Sequence, residues 1–264
     1  MIETTRSSDG TTIAFERSGD GPAVILVGGA LNDRTSPMRL AERLAERLTV
    51  VRYDRRGRRD SGDTPPYAVE REVEDLDALI AAAGGSASLF GHSSGAALCL
   101  EAARRGSAVP KLALYEPPFI VDDTRTPAPE DYVEHLDALV AAGARGDAVA
   151  YFMEAGVGLP ANMVAGMRSM PMWPGLETLA HTISYDGRVM GGHLSGRPLP
   201  EGEWAAVTQP TLILDGGDSP AWIRNACRAL AAALPNAEDR TLDGQTHDVA
   251  PEVLAPVLEP FLLG

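Results

Sequence analysis

The run Gly91-His92-Ser93-Ser94-Gly95 is the stretch of this chain richest in chemical possibility. It follows Ala87–Phe90, which reads as a strand, and opens Ser94–Arg105, which reads as a helix. A serine flanked by glycines at such a junction sits on a bend too sharp for larger neighbours, which strains the backbone and exposes the hydroxyl. The amide end of the following helix favours a developing negative charge. A serine hydroxyl is a poor nucleophile at neutral pH and needs a base in reach, itself oriented by an acid. Among the five histidines, His92 lies within the bend and is expected to point away from the pocket, while His135, His181 and His193 fall in an irregular middle region. His247 lies in the loop Asp243–Asp248 between the last strand-like and last helix-like runs. Loops at the carboxyl ends of strands are where an open α/β sheet places its site, so His247 is the expected base. For the acid, Asp218 is preferred because it lies deeper in the loop Asp215–Pro220, free of the preceding strand. Asp215 is the near alternative, and Glu116, directly after the run Lys111–Tyr115, is a third candidate. Acyl transfer also needs N–H donors for an oxyanion. The Ser94 amide is one; the other is expected from Gly28-Gly29-Ala30, with Ala30 preferred over Gly29.

The elements that must position these groups follow from apolar patterning. Ile2–Arg6 and Thr12–Ser18 flank Asp9-Gly10 and read as a hairpin. Ala23–Val27 is a continuous apolar run closed by glycines, the pattern of a strand buried on both faces of a parallel sheet. Met38–Leu48 is expected to be helical, Thr49–Tyr53 a strand and Ala68–Ala83 a helix stopped by Gly84-Gly85. Strand–helix alternation continues to Tyr115, fails between Glu116 and about Val207, and resumes with strand Thr211–Leu214, helix Trp222–Leu234, strand Ala237–Leu242 and helix Glu252–Leu263. Alternation of this kind predicts an α/β fold with a mostly parallel central sheet flanked by helices. The expected organisation is one domain: a core of residues 1–115 and 208–264, with residues 116–207 inserted as a mainly helical cap. Within the cap, helices are expected near Pro129–Gly143 and Asp147–Ala155.

Composition narrows the function. The 264 residues are long enough to bury a core without disulfides or metals. A net charge of -14 argues against a nucleic-acid partner, which would call for clustered cations. The one local exception, Arg55, Arg56, Arg58 and Arg59, is short and lies between acidic residues. No run approaches the ~20 apolar residues of a membrane span, and no secretory leader is expected. Cys99 and Cys227 fit buried free thiols, so a cytoplasmic location is expected.

These residues together resemble the α/β-hydrolase fold superfamily, in particular a serine esterase-like member with a helical cap, similar to bacterial secondary-metabolism hydrolases. The resemblance covers essentially the whole chain and rests on Gly91–Gly95, the loop Asp215–Asp218, His247, the glycine pair after Val27, and Asp54-Arg55-Arg56-Gly57-Arg58-Arg59-Asp60-Ser61, which is similar to the family's D-x-R-G-x-G-x-S turn. It implies a Ser93–His247–Asp218 triad and no cofactor. Two departures stand out. Gly28 occupies a place where the family often has histidine, and Arg59 replaces the second glycine of the turn. If that backbone is left-handed, arginine costs about 1 kcal/mol or more relative to glycine.

The cap is rich in methionine, which adapts to irregular apolar shapes. Met153, Met167, Met170 and Trp173 are the expected substrate-binding residues, forming an apolar pocket for a small molecule. Arg168 and Arg188 are candidates for holding a carboxylate. The expected function is cleavage of a carboxylic ester, lactone or thioester through an acyl-enzyme on Ser93. The rivals are a non-hydrolytic or C–C bond-cleaving biosynthetic enzyme on the same fold, and a non-catalytic ligand receptor. Epoxide hydrolase and dehalogenase relatives carry aspartate at the position of Ser93 and are disfavoured.

Overall fold

A computed structural model describes residues 1–264. Eight strands form one sheet in the order β1-β2-β4-β3-β5-β6-β7-β8. The strands are β1 (Ile2–Arg6), β2 (Thr12–Ser18), β3 (Ala23–Val27), β4 (Thr49–Tyr53), β5 (Ser88–His92), β6 (Leu112–Tyr115), β7 (Thr211–Gly216) and β8 (Ala237–Leu242). The hairpin β1–β2 and the β2–β4 pair are antiparallel, and every other neighbour is parallel. The carboxyl ends of β3 through β8 therefore converge on one edge of the sheet.

Both faces of the central strands β3, β5, β6 and β7 are buried, which explains their continuous apolar runs, whereas the edge strands β1 and β8 are largely exposed. Along β3, Val24 and Leu26 enter one apolar cluster and Ile25 and Val27 the other, as the period of two requires. The first cluster lies under helices α1 (Met38–Leu44) and α10 (Pro251–Leu263). The second lies under α2 (Val69–Ala82), α3 (Ser94–Arg104) and α9 (Ala221–Ala233). Helix α1 ends four residues before Leu48, the expected terminus, although Leu48 still bonds back to Leu44 O at 2.9 Å through a further turn. Helix α10 persists through Pro256 and Pro260 because Leu254, Leu258 and Leu262, spaced by four, bury one face.

Between β6 and β7 the chain is helical: α4 (Tyr132–Ala141), α5 (Arg145–Tyr151), α6 (Ala161–Met167), α7 (Trp173–Leu179) and α8 (Ile183–Met190). Helix α5 runs directly into a π-helical segment, Phe152–Val157. The short helices α6 and α7 escape sequence reading because Pro160, Pro171 and Pro174 interrupt any long period. The insertion has its own apolar cluster, including Leu136, Val149, Trp173 and Ile183. Its edges do not: Phe119, Val121, Val189, Met190, Trp204 and Val207 pack into the large cluster under the sheet. The helical insertion is thus rooted in the main core rather than resting on it. No helix is long and apolar enough to cross a membrane, and both cysteines are buried and unpaired.

Candidate active site

Ser93 follows the last residue of β5 and caps α3, with φ 58° and ψ −130°. A non-glycine residue held in this region stores strain. Its neighbours explain how the bend is accommodated. A side chain at Gly95 would collide with the Val27 carbonyl, and a Cβ at Gly91 would lie 2.5 Å from Ala96 Cα. The Ser93 N–H donates to Tyr115 O at 2.9 Å, which ties the bend to the end of β6.

The residue after Tyr115 is Glu116, also left-handed at φ 47° and fully buried. Its Oε1 accepts the Gly216 N–H at 2.7 Å, and its Oε2 accepts the His247 Nδ1–H at 2.7 Å. Burial alone would raise the Glu116 carboxyl, but the hydrogen bonds from His247 and the Gly216 amide hold it below the usual carboxylate range. A carboxylate on Nδ1 fixes the tautomer and leaves the Nε2 lone pair free to accept a proton. This corrects the expectation that Asp218 would orient the imidazole. Asp218 is exposed, and its backbone N–H is spent on Gln245 O. Asp215 is buried, but its nearest cation is Arg224, 3.8 Å away, and it does not reach His247. The direction of the chain at the end of β7 aims both aspartates elsewhere, whereas the left-handed turn at Glu116 aims its carboxylate across the β7 end toward the imidazole.

The His247 loop is held by two side chains whose part sequence reading missed. Tyr115 Oη donates to Thr246 O at 2.5 Å, and His92 Nε2–H donates to His247 O at 2.9 Å. The His92 ring lies against that of His247, centroids 4.6 Å apart. Burial, then the neighbouring His247, pushes His92 down to about 4, so it is a neutral donor at pH 7. His92 therefore braces the His247 loop rather than turning away from it. The only available signal was adjacency: each brace is the immediate sequence neighbour of a site residue. Ser93 Oγ and His247 are not hydrogen-bonded to each other; such contacts commonly tighten only with substrate bound.

Opposite Ser93 lies the loop after β3. A Cβ on Gly29 would stand 2.8 Å from Ser93 Cβ, so this loop touches the serine. The Ala30 and Ser94 N–H groups, both expected oxyanion donors, engage no acceptor within the protein. Beneath the loop, Arg55, Arg56 and Arg58 are buried and paired with Glu72, Asp75 and Asp186. Arg59 does adopt a left-handed backbone, φ 41°, and its side chain pairs with Asp33 at 2.9 Å.

The expected substrate-binding residues belong to the helical insertion and its apolar cluster. Trp173 is enclosed in the insertion's own cluster and donates to Glu177 at 2.9 Å; Met153 and Met167 pack against that cluster, and Met170 is 47% exposed. Leu31, next to Ala30, packs on the same cluster, so the insertion meets the loop after β3 there. Arg168 and Arg188 are paired with Asp147 and Asp137. A cavity of about 270 Å³ adjoins His92 and His247, lined also by Gly28, Asn32, Phe90 and Leu254. A larger open depression of about 600 Å³ near Pro198 and Arg228 contains none of the site residues.

A sequence profile described as the alpha/beta hydrolase family matches residues 23–257. The crystal structure of an alpha/beta hydrolase from Sphaerobacter thermophilus is similar over 98% of this chain and 99% of that one, at 58% identity and a TM-score of 0.92. A thermophilic esterase from Thermogutta terrifontis is 21% identical over 99% of this chain and 98% of its own, with a TM-score of 0.71, a likeness of fold alone. An uncharacterized hydrolase from Bacillus subtilis is 36% identical over 96 residues, a stretch that spans 35% of this chain and 35% of that relative.

Proposed function

This chain belongs to the alpha/beta hydrolase family, and from that premise we propose that it is a serine hydrolase cleaving carboxylic esters, lactones or thioesters through an acyl-enzyme on Ser93. The observation that carries this reading is the Glu116–His247 hydrogen bond beside a strained, half-buried serine bend. In the proposed reaction His247 Nε2 takes the Ser93 proton as Oγ attacks the carbonyl carbon. The amides of Ala30 and Ser94 receive the oxyanion, and the imidazolium is held by Glu116. Collapse expels the alcohol or thiol, which takes the proton from His247. Water then repeats the sequence, with His247 accepting its proton, and releases the acid and free Ser93. All groups needed are side chains, amides and water, so the chemistry calls for no cofactor.

The test is chemical labelling joined to product analysis. A fluorophosphonate should add to Ser93, as read by peptide mass spectrometry, and Ser93→Ala should take no label. Turnover of p-nitrophenyl esters of graded acyl length should fall by about 10⁴-fold or more in Ser93→Ala. Undiminished turnover in that variant would remove the acyl-enzyme. Labelling without hydrolysis of any acyl ester would favour a non-hydrolytic catalyst, and tight small-molecule binding without labelling would favour a receptor.

A further inference from the structure

The loop Gly28-Gly29-Ala30 has no side chain longer than a methyl with which to hold itself. Its carbonyls are held from beneath. Arg58 Nη1 donates to Gly29 O at 2.6 Å and to Asn32 O at 2.9 Å, and Arg55 Nη1 donates to Gly28 O at 3.2 Å. In a trans peptide the N–H points away from the C=O, so anchoring Gly29 O on Arg58 directs the Ala30 N–H to the opposite side.

Both guanidinium groups converge on one carboxylate. Asp186 Oδ1 accepts from Arg55 Nη1 at 2.5 Å and Oδ2 from Arg58 Nη2 at 2.7 Å. Oδ1 also accepts the Ser94 hydroxyl at 2.7 Å. Ser94 is the residue whose amide is the second oxyanion donor. Asp186 lies on α8, within the helical insertion, and is 3% exposed. Glu72 closes the group with two bonds to Arg55, at 2.7 and 2.6 Å, so two cations face two anions. Buried ion pairs add little stability over apolar packing of the same shape. What this group does that apolar packing would not is fix the direction of two peptides.

We propose that Asp186 is a positioning residue for the oxyanion hole. From the insertion it holds the Gly29–Ala30 peptide through Arg58, with Arg55 supporting Gly28, and it holds the start of α3 through the Ser94 hydroxyl. The hole is then complete only when α8 is seated against α3 and the arginine-rich loop. This rests on the reading of Ala30 and Ser94 as oxyanion donors made above.

The experiment compares Asp186→Asn and Ser94→Ala with Asp75→Asn. Asp75 is as deeply buried and holds Arg56 of the same arginine-rich loop with two bonds, at 2.8 and 2.7 Å, but none of Arg56's bonds reaches the Gly28–Ala30 loop. Three quantities are read: kcat and KM on p-nitrophenyl butyrate, the affinity of a phenylboronic acid whose tetrahedral adduct on Ser93 mimics the oxyanion, and the thermal midpoint. Asp186→Asn and Ser94→Ala should each lower kcat about 10- to 100-fold and weaken the boronate by a similar factor, with KM little changed. Asp75→Asn should lower the midpoint while kcat and boronate affinity stay within about twofold. Wild-type kcat and boronate affinity in Asp186→Asn and Ser94→Ala would overturn the proposal, as would losses no larger than those of Asp75→Asn at a matched drop in midpoint. If Asp186→Asn does not fold, Ser94→Ala decides alone, since it deletes one neutral donor and leaves the arginine pairs in place. A wild-type protein that takes neither fluorophosphonate nor boronate would bring down the serine-hydrolase reading and this one with it. A wild type labelled at Ser93 alongside indifferent variants would remove only the role of Asp186.

Discussion

Glu116 is the residue on which the proposed chemistry turns. A carboxylate hydrogen-bonded to imidazole Nδ1 selects the tautomer with Nε2 free and stabilises the imidazolium that forms during proton transfer. Glu116→Gln keeps the shape and removes the charge, so kcat on an activated ester should fall by about 10²- to 10⁴-fold in steady-state assays. Asp218→Asn, at an exposed position, should leave kcat within about twofold under the same conditions. The reverse pattern would restore Asp218 as the orienting acid. The distinction has a backbone origin: Glu116 adopts φ 47°, a conformation that costs energy in a non-glycine residue and that carries its carboxylate over the end of β7.

At the scale of elements, the position of His247, the proposed base, depends on how the β8–α10 loop is fastened. Tyr115 Oη and His92 Nε2 each bind one carbonyl of consecutive residues, Thr246 and His247. Tyr115→Phe removes the first of these bonds and leaves the Thr246 carbonyl without its partner. It should cost about 1–2 kcal/mol in urea unfolding and lower kcat several-fold by loosening the imidazole. Full retention of both would show that the loop holds itself. The strand-to-helix bend is less forgiving. Gly95→Ala drives a methyl into the Val27 carbonyl, so β3 and α3 must separate. Circular dichroism should show a lowered midpoint, and fluorophosphonate labelling of Ser93 should slow, because the same separation moves the loop after β3 away from the serine.

Across the whole molecule, titration gives stability a definite dependence on acid. His92 titrates near 4 in the folded protein, below the value of about 6.5 for a free imidazole, because burial and His247 disfavour its charge. Between those values the unfolded chain takes up a proton that the folded chain refuses, so stability falls as pH falls from 6.5 toward 4. Glu116 and Glu72, both held below the ordinary carboxylate range against the effect of their burial, act in the same sense at lower pH. Their contribution is present above the unfolded carboxylate value and is lost as pH drops through the folded one. Asp75, pushed up to about 6 by its burial, acts in the opposite sense, so the contribution of His92 is read as a difference: the midpoint of His92→Gln should depend less steeply on acid between pH 6.5 and 4.5 than that of the wild type. Equal slopes in the wild type and His92→Gln between pH 6.5 and 4.5 would contradict the buried neutral state of His92.

The strand–helix order, the serine bend and the placing of His247 in the loop between β8 and α10 were legible in the amino-acid sequence, because each rests on local rules. Fully buried strands read as unbroken apolar runs such as Ala23–Val27, and a bend that admits only small neighbours reads as Gly91-His92-Ser93-Ser94-Gly95. The partner of the imidazole was not legible, because three acidic residues follow two adjacent strands and sequence position does not reveal which carboxylate is turned inward. Nor was the fate of the arginine run, which reads as a short loop between acidic residues but whose Arg55, Arg56 and Arg58 form a buried lattice with Glu72, Asp75 and Asp186, residues up to 131 positions away. For the methionines of the insertion apolar character alone did not fix burial: Met153 and Met167 pack on the insertion's own cluster, while Met163, Met170 and Met172 stay about half exposed. Periodicity and turn chemistry act over a few residues, while the meeting of Asp186, Ser94 and Arg58 depends on where whole helices come to rest, and that was decided by the tertiary structure.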